Sequence, residues 1–399
     1  MLPFIMEKRN CTGCMACANI CPKQCIKMVY DEEGFCYPDS STECINCKLC
    51  EKICPNNKDI MVKNSFHEVY ALLTKDYDVW KRSTSGGAFS EICRSFDKNT
   101  VFFGASLMQD LNTHHICVES FDELHKITKS KYVQSYVGNS FSQAKDFLNK
   151  GKKVVFCGTP CIIAGFKSFL GKETNNNLLL IDLVCHGVGS KSVFSSCVKE
   201  MEKQFGKEIS GYEFRSKRRI FEVEYLSKIT FKSREEKYVI NDPYIQLYLS
   251  QNCLRPSCGE NCHYRREDRI GDITLADFKG LYHVFPELKG GKYNYSALIV
   301  NTDKGKRVAE RIKNNVNMLS ASLEDIKTYN PLFYRNTWFS KERSTFFSDF
   351  ISNPQLAIQK WTDKAVVSKK TVKQRVFEFT PVGIRKRVIK YLEHKNEKK

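Results

Sequence analysis

The sequence predicts a multidomain chain of mixed α/β class: a short cysteine-built front segment, an α/β body with some antiparallel sheet, and a basic, mainly helical tail. Three observations predict it. Eight cysteines within the first 54 residues fall into two copies of one spacing. Beyond residue 66, short apolar runs alternate with helix-period stretches, the pattern of strand-to-helix units. And 399 residues are long for a single core. The expected divisions are 1–62, 66–145, 146–340 and 341–399.

The front segment comes first. Cys11, Cys14, Cys17 and Cys21 precede Pro22, and Cys44, Cys47, Cys50 and Cys54 precede Pro55, both as C-x2-C-x2-C-x3-C-P. Three thiolates at that spacing wrap three corners of one 4Fe-4S cube, and the fourth corner is met by the last cysteine of the other copy. The crossed assignment gives Cys11, Cys14, Cys17 and Cys54 to one cluster and Cys44, Cys47, Cys50 and Cys21 to another. Zinc uses two separated C-x2-C pairs and leaves the third cysteine of each copy without a task. Between the copies, CIKMVYDEEGFCYP alternates apolar and polar residues around an Asp-Glu-Glu-Gly turn and reads as a hairpin. Cys25 and Cys36 lie outside the spacing and read as small core residues. Residues 1–62 resemble a bacterial-type two-cluster ferredoxin.

In the body, EVYALLTK, TVFFGASL and HHICVESF read as strands, and SGGAFSEICRSF as a helix behind a glycine pair. FSQAKDFLNKGKKVVFCGTPCIIAGFKSFLG runs helix, strand, turn, helix, and NLLLIDLVCHG is a buried strand. Residues 212–240 alternate like an antiparallel hairpin, and YSALIVNTDKGKRVAERIKNN is a further strand-to-helix unit.

Three places in the body suggest chemistry. Ser83, Thr84 or Ser85 can cap a helix whose first turn holds Gly86 and Gly87, an anion site suited to a pyrophosphate or simply a capped helix. VVFCGTPCIIAG ends a strand at Gly158 and Thr159 and opens a helix at Cys161, without the Lys-Ser/Thr of a Walker loop. The next strand delivers Cys185 near its C-terminal end, where open α/β sheets bind ligands. Cys253, Cys258 and Cys262 follow in a Pro- and Gly-marked loop. With Cys161 and Cys185 they make five candidates for a four-thiolate site, open to zinc, to a third 4Fe-4S cluster, or to scattered core thiols.

Composition sets limits. Hydrophobic content of 42% with 27% charged residues is ordinary for a soluble globular protein and excludes a disordered or fibrous chain. The first residues lack the charged and apolar regions of a signal peptide, and no run approaches 18 apolar residues, so a cytoplasmic location is expected. There, 19 cysteines point to metal or redox use. The formal charge of +18 invites a nucleic-acid reading. Three cubes, each net about −2 with its thiolates, would lower it to roughly +12. The excess is partly local: residues 363–399 hold twelve Lys/Arg against four Asp/Glu. Basic charge alone suits an acidic protein donor, a membrane surface or RNA equally well, and nucleic acid is not expected as a partner.

Five stretches carry a resemblance: TSGGAFSEI, SKYVQS, VVFCGTPCIIAGFKSFL, DLVCHGVGS and LRPSCGENCHYRREDRIGDITLADFKG. In that order, over about residues 1–300, they resemble the coenzyme F-420 hydrogenase/dehydrogenase beta-subunit family, in the bacterial form with a two-cluster ferredoxin in front. The chain departs from the family's common pattern at Ile162, Phe166, Gly189, Ala276 and Lys279.

The resemblance implies a flavoprotein with FAD on the α/β body and one more 4Fe-4S cluster. Ser85, Gly86, Gly87, Ser130, Lys131, Tyr132, Gly158 and Thr159 become flavin or substrate contacts. Cys161, Cys185, Cys258 and Cys262 become the third cluster's ligands, with Cys253 in reserve. His186 and His263 beside them read as structural. The implied activity is an oxidoreductase that takes electrons from reduced ferredoxin or a similar carrier through 4Fe-4S clusters to FAD and on to a small-molecule substrate. A non-catalytic electron-transfer subunit and a deazaflavin-dependent reductase are the alternatives. The tail sequence TPVGIRKRVIKYLEHKNEKK sets Val382, Ile384, Val388, Ile389 and Leu392 on one helical face amid basic residues, which suits peripheral membrane contact or packing on the body.

Overall fold

The structure, a computed structural model, describes residues 2, 5, 7–57, 67–171, 176–217, 225–259, 262–289, 291, 293–335 and 340–364. By internal contact it divides into two units, residues 1–193 with 254–339, and residues 194–253 with 340–399. The tail face expected at 382–392 lies outside the described residues. Among the described residues no helix is long and apolar enough to cross a membrane.

In the first unit the expected hairpin forms from β1 (Ile26–Tyr30) and β2 (Cys36–Ser40), with Tyr30 opposite Cys36. Asp31 shapes its turn: the carbonyl accepts from Gly34 N at 2.9 Å and Oδ1 accepts from Phe35 N at 3.0 Å. Each cysteine run ends in a short helix, Ala16–Ile20 and Leu49–Lys52. The two runs share a backbone course. Gly13 and Asn46, each just before the second cysteine, have φ of 70° and 53°, and Met15 and Lys48, just after it, have φ of 63° and 59°. Left-handed φ at non-glycine residues costs free energy, so its repetition at matching positions marks a requirement of the motif. Such alternation turns successive N–H groups toward one concavity.

The body is built on one eight-stranded sheet. In chain order its strands begin with β3 (Glu68–Thr74), β4 (Thr100–Leu107), β5 (Thr113–Val118), β6 (Lys153–Gly158) and β7 (Leu178–Leu183). The second unit supplies β8 (Ile209–Glu213), β9 (Ser227–Phe231) and β10 (Glu236–Val239). The sheet of the first unit is completed by β11 (Ile273–Asp277), β12 (Ser296–Val300) and β13 (Val316–Ala321). Its order is β13-β3-β12-β11-β7-β6-β4-β5. The pairings make β3, β11, β7, β6 and β4 run in one direction, with β13, β12 and β5 against them. The central strands are apolar on both sides because both faces are covered. Val154 and Phe156 of β6 join one cluster with Val101, Phe103, Leu178 and Leu180, while Val155 joins Phe102, Leu179 and Ile181 on the other face. The first cluster also takes in Cys14, Met15, Ala16 and Cys36, so the front segment shares a core with the body.

In the second unit, residues 212–240 yield more than one hairpin: β8, β9 and β10 form a three-stranded antiparallel sheet in the order β10-β9-β8. Phe194, Tyr212, Phe214 and Tyr244 pack as an aromatic core, and Asp242 caps the helix Pro243–Leu249 by accepting from Ile245 N at 3.0 Å. The helices Arg343–Ser352 and Pro354–Lys364 belong to this unit.

Candidate functional site

Three groups of thiols are the centre of the site. Cys11, Cys14, Cys17 and Cys54 line one cavity in the front segment, together with Thr12 and Met28. This is the crossed set that the spacing assigns to one cube. Burial pushes the Cys14 thiol up to about 12, and Cys54 and Cys11 add to the rise. Cys17 lies well above its ordinary range for the same reasons, burial first and then Cys14, Cys11 and Cys54. Crowded thiols in a dry cradle stay protonated until a cation takes the proton's place.

The second set is nearer the surface. Cys44 and Cys47 are exposed and Cys21 and Cys50 half-buried. Burial raises the Cys50 thiol, and Cys47 and Cys44 contribute. Cys25 and Cys36 are 4% and 2% exposed, in keeping with core residues, although the Cys25 sulfur also lies 3.4 Å from that of Cys21.

The third set gathers at the C-terminal ends of β6 and β7. Cys161 is in the first turn of the helix Pro160–Leu170, whose proline has no N–H to lose at that position. Cys185 follows β7, and Cys258 and Cys262 come from the loop before β11. These four line one cavity with Thr12 and Tyr264. Burial raises Cys161 well above its usual range, with Cys185, Cys258 and Cys262 adding to it, and raises Cys258 to about 12. Val188 N donates to Cys258 Sγ at 3.4 Å, and Arg265 Nη2 donates to the His186 carbonyl at 2.7 Å. Cys253 stays apart: it is fully buried in the second unit, near Cys197 and Tyr244.

Among the described residues no three His, Cys, Asp or Glu side chains stand where they would hold a single metal ion. A zinc ion draws four thiolates to about 3.8 Å of one another, given Zn–S bonds of about 2.3 Å. The corners of an iron-sulfide cube are wider apart, and four thiols ringing a cavity match that demand.

The first and third cavities adjoin. Thr12 lines both. Gly165 stands one helical turn beyond Cys161, on the same face of the helix, and a Cβ there would lie 2.9 Å from both Cys14 Cβ and Cys14 Sγ. Tyr264, 5% exposed, feels the charges of Cys14, Cys161, Cys54 and Cys262, and its hydroxyl donates to Asn56 Oδ1 at 2.6 Å.

The residues expected to contact a flavin lie along the same sheet edge. Ser130 N donates to Thr84 Oγ1 at 2.8 Å, which joins the SKYVQS segment to the loop after β3. Lys131 donates to the Thr128 carbonyl and lies near Cys157 at the end of β6; enclosure presses its ammonium down to about 7. Tyr132 accepts from Gly189 N at 3.2 Å through its carbonyl, and Thr159 accepts from Ile162 N at 2.9 Å. A Cβ on Gly158 would lie 3.3 Å from His115 Nε2. That nitrogen is buried without a hydrogen-bond partner, while Nδ1 shares a 2.7 Å hydrogen bond with Ser135 Oγ. Ser85 Oγ donates to the Tyr295 carbonyl at 2.7 Å. The glycine pair has a packing reason. A Cβ on Gly86 would collide with the Leu72 carbonyl oxygen, and Gly87 has φ of 94° against Thr74. The helix they precede, Ala88–Arg94, has two turns.

Comparison with known families follows this geometry. Residues 151–325 match the family model for the C terminus of the coenzyme F420 hydrogenase/dehydrogenase beta subunit. Residues 9–28 and 41–59 match a 4Fe-4S binding domain. The chain belongs to the coenzyme F420 hydrogenase/dehydrogenase beta-subunit family. It is an iron-sulfur protein with the redox role of that family. Among solved structures, a chain of the F420-reducing [NiFe] hydrogenase complex from Methanosarcina barkeri is similar at 12% identity and a TM-score of 0.43, over 77% of this chain and 94% of that one. No curated protein matches the sequence.

In this family member, the sequence reading missed Thr12, Gly165, Tyr264, Arg255 and His115. Thr12 and Tyr264 adjoin motif cysteines and Arg255 opens the LRPSC run, which is the one clue the sequence holds. Gly165 and His115 have none.

Proposed function

We propose that this protein is an iron-sulfur flavoprotein oxidoreductase that takes electrons one at a time from a reduced carrier such as ferredoxin and delivers them in pairs to a small-molecule substrate. Two clusters are assigned to the front segment and a third to Cys161, Cys185, Cys258 and Cys262, with FAD at the β6 edge. The observation that carries this reading is the adjacency of two four-cysteine cavities with Thr12 as their common wall.

Bound, the clusters would supply one-electron carriers and the flavin the exchange between single electrons and pairs. The chain's own residues do the rest. The exposed Cys44 and Cys47 put one set at the surface, within reach of a docked carrier. Gly165, by lacking a side chain, lets the helix of Cys161 approach Cys14. At the sheet edge, Lys131 offers a desolvated ammonium that suits a phosphate or an anionic ring, and the free His115 Nε2 offers a hydrogen bond beside Gly158. With Gly86 and Gly87 committed to packing, Lys131 is the stronger anion contact.

The test is anaerobic turnover by the isolated chain with reduced ferredoxin or reduced viologen as donor, with the bound flavin extracted and identified. Stoichiometric FAD that is bleached by reduced viologen supports the reading. A flavin-free chain whose clusters merely equilibrate with the donor overturns it in favour of a passive electron-transfer role.

A further inference from the structure

Two guanidinium groups are buried in the first unit, and only one has an acid. Arg269 is 2% exposed and ion-paired with Asp182. Arg255 is fully buried, and all its contacts are neutral. Its Nε donates to the Cys11 carbonyl at 2.8 Å, Nη1 to Gln134 Oε1 at 2.8 Å and Nη2 to the Cys36 carbonyl at 3.1 Å. The guanidinium carbon sits 4.3 Å from the centre of the Tyr37 ring. Among the described residues no carboxylate pairs with it.

A buried cation without an anion is strongly disfavoured, so a fold that keeps one has a negative charge close by. The groups on which the Arg255 charge acts are Cys11, Tyr37, Cys36 and Cys258. Cys11 and Cys258 belong to the two adjoining four-cysteine sets, and Arg255 itself is three residues before Cys258. None of Cys21, Cys44, Cys47 and Cys50 is among them. The missing counter-charge is therefore supplied when cubes occupy the first and third sets, each net about −2 with its thiolates.

We infer that Arg255 is the residue that orders the potentials of the relay, by standing between the Cys11 and Cys258 sets and favouring an added electron on either over one on the surface set. The inference rests on the cluster assignment proposed above. Each reduction adds one electron from an external one-electron donor, takes a cube with its thiolates from about −2 to about −3, and breaks no bond. A fixed cation in a low-dielectric wall stabilises the more negative state, and does so most where it is closest. Electrons entering at the surface set are thereby drawn inward.

The test is an anaerobic redox titration of the full chain, reconstituted with iron and sulfide, followed by the spectra of the reduced clusters. Iron is counted in every sample. Three variants are compared with the parent: Arg255→Gln removes the charge, Arg255→Lys keeps it, and Gln134→Glu sets a carboxylate against Nη1 without emptying the site. Arg255→Gln and Gln134→Glu are each expected to lower the equilibrium constant for reducing the inner clusters tenfold or more, about 59 mV per tenfold for one electron. Arg255→Lys is expected to stay within threefold of the parent, and the surface cluster to move less than the inner ones throughout. Gln134→Glu keeps the question answerable if Arg255→Gln fails to fold. Full iron content with unmoved inner midpoints in the charge-altering variants would overturn the inference and leave the relay standing. A parent chain that takes up no third cluster would overturn both.

Discussion

Arg269 donates to Asp182 through Nη2 at 2.9 Å and Nε at 3.3 Å, deep beneath the third cysteine set. Asp182, at the end of β7, also accepts from Ile270 N at 3.2 Å, Gly271 N at 3.0 Å and Thr274 Oγ1 at 2.6 Å. Arg269 in turn donates to the Leu183 carbonyl at 2.9 Å and the Tyr264 carbonyl at 3.2 Å. One carboxylate thus ties the strand that delivers Cys185 to the loop that delivers Cys258 and Cys262. Asp182→Ala leaves a buried guanidinium unpaired, at a cost of about 3–5 kcal/mol. Urea unfolding is expected to show that loss together with reduced iron retention, and a change under 1 kcal/mol would contradict the role.

Gly165→Ala forces a methyl group against Cys14 at 2.9 Å. Overpacking of this kind costs roughly 1–3 kcal/mol, and here the strain falls on a cluster ligand. Iron loss in air is expected to be faster than in the parent, with the surface set unaffected. Equal rates of loss would show that the helix has slack at this point.

Lys131 gives the sheet edge a pH dependence. With its ammonium pressed down to about 7, it is charged below that pH and neutral above it. Affinity for FAD or another phosphate-bearing ligand is therefore expected to weaken as pH rises through about 7, and Lys131→Met to bind weakly with no such slope. The folded state also holds fewer protons at this group than the unfolded chain between pH 7 and the ordinary lysine range. Its contribution to stability therefore improves as pH rises through that window. Calorimetric titrations at several pH values check both statements; a slope that survives Lys131→Met would assign it elsewhere.

Thiol exposure predicts an order of labelling in the metal-free chain. Cys44 and Cys47 are exposed, whereas burial holds Cys14 and Cys258 at about 12 and Cys161 well above its usual range. Iodoacetamide reacts with the thiolate, so peptide mass spectrometry is expected to find Cys44 and Cys47 alkylated at least tenfold faster. Equal rates would mean that the inner cradles do not form without iron.

Much of this was legible in the sequence because it is local. The spacing of the front cysteines dictated the crossed sets, and the cavity shared by Cys11, Cys14, Cys17 and Cys54 has that membership. Period-two apolar runs located strands such as β4, which spans the whole of TVFFGASL. What escaped depends on contacts distant in sequence. Arg255 reaches Cys11 across 244 positions, and Gly165 is a helix residue like any other until Cys14 is placed beside it. Sheet order was hidden for the same reason: β3 lies between β12 and β13, which follow it by more than 220 residues. Gly86 and Gly87 suggested an anion cradle, yet strand backbone already fills the space above them.

The central claim is that Cys161, Cys185, Cys258 and Cys262 hold a cube next to the one held by Cys11, Cys14, Cys17 and Cys54. Iron and acid-labile sulfide, counted per chain after anaerobic isolation, test it most directly when the parent is set beside Cys161→Ser with Cys258→Ser. About twelve irons falling to about eight is the predicted result. About eight irons in both would contradict it.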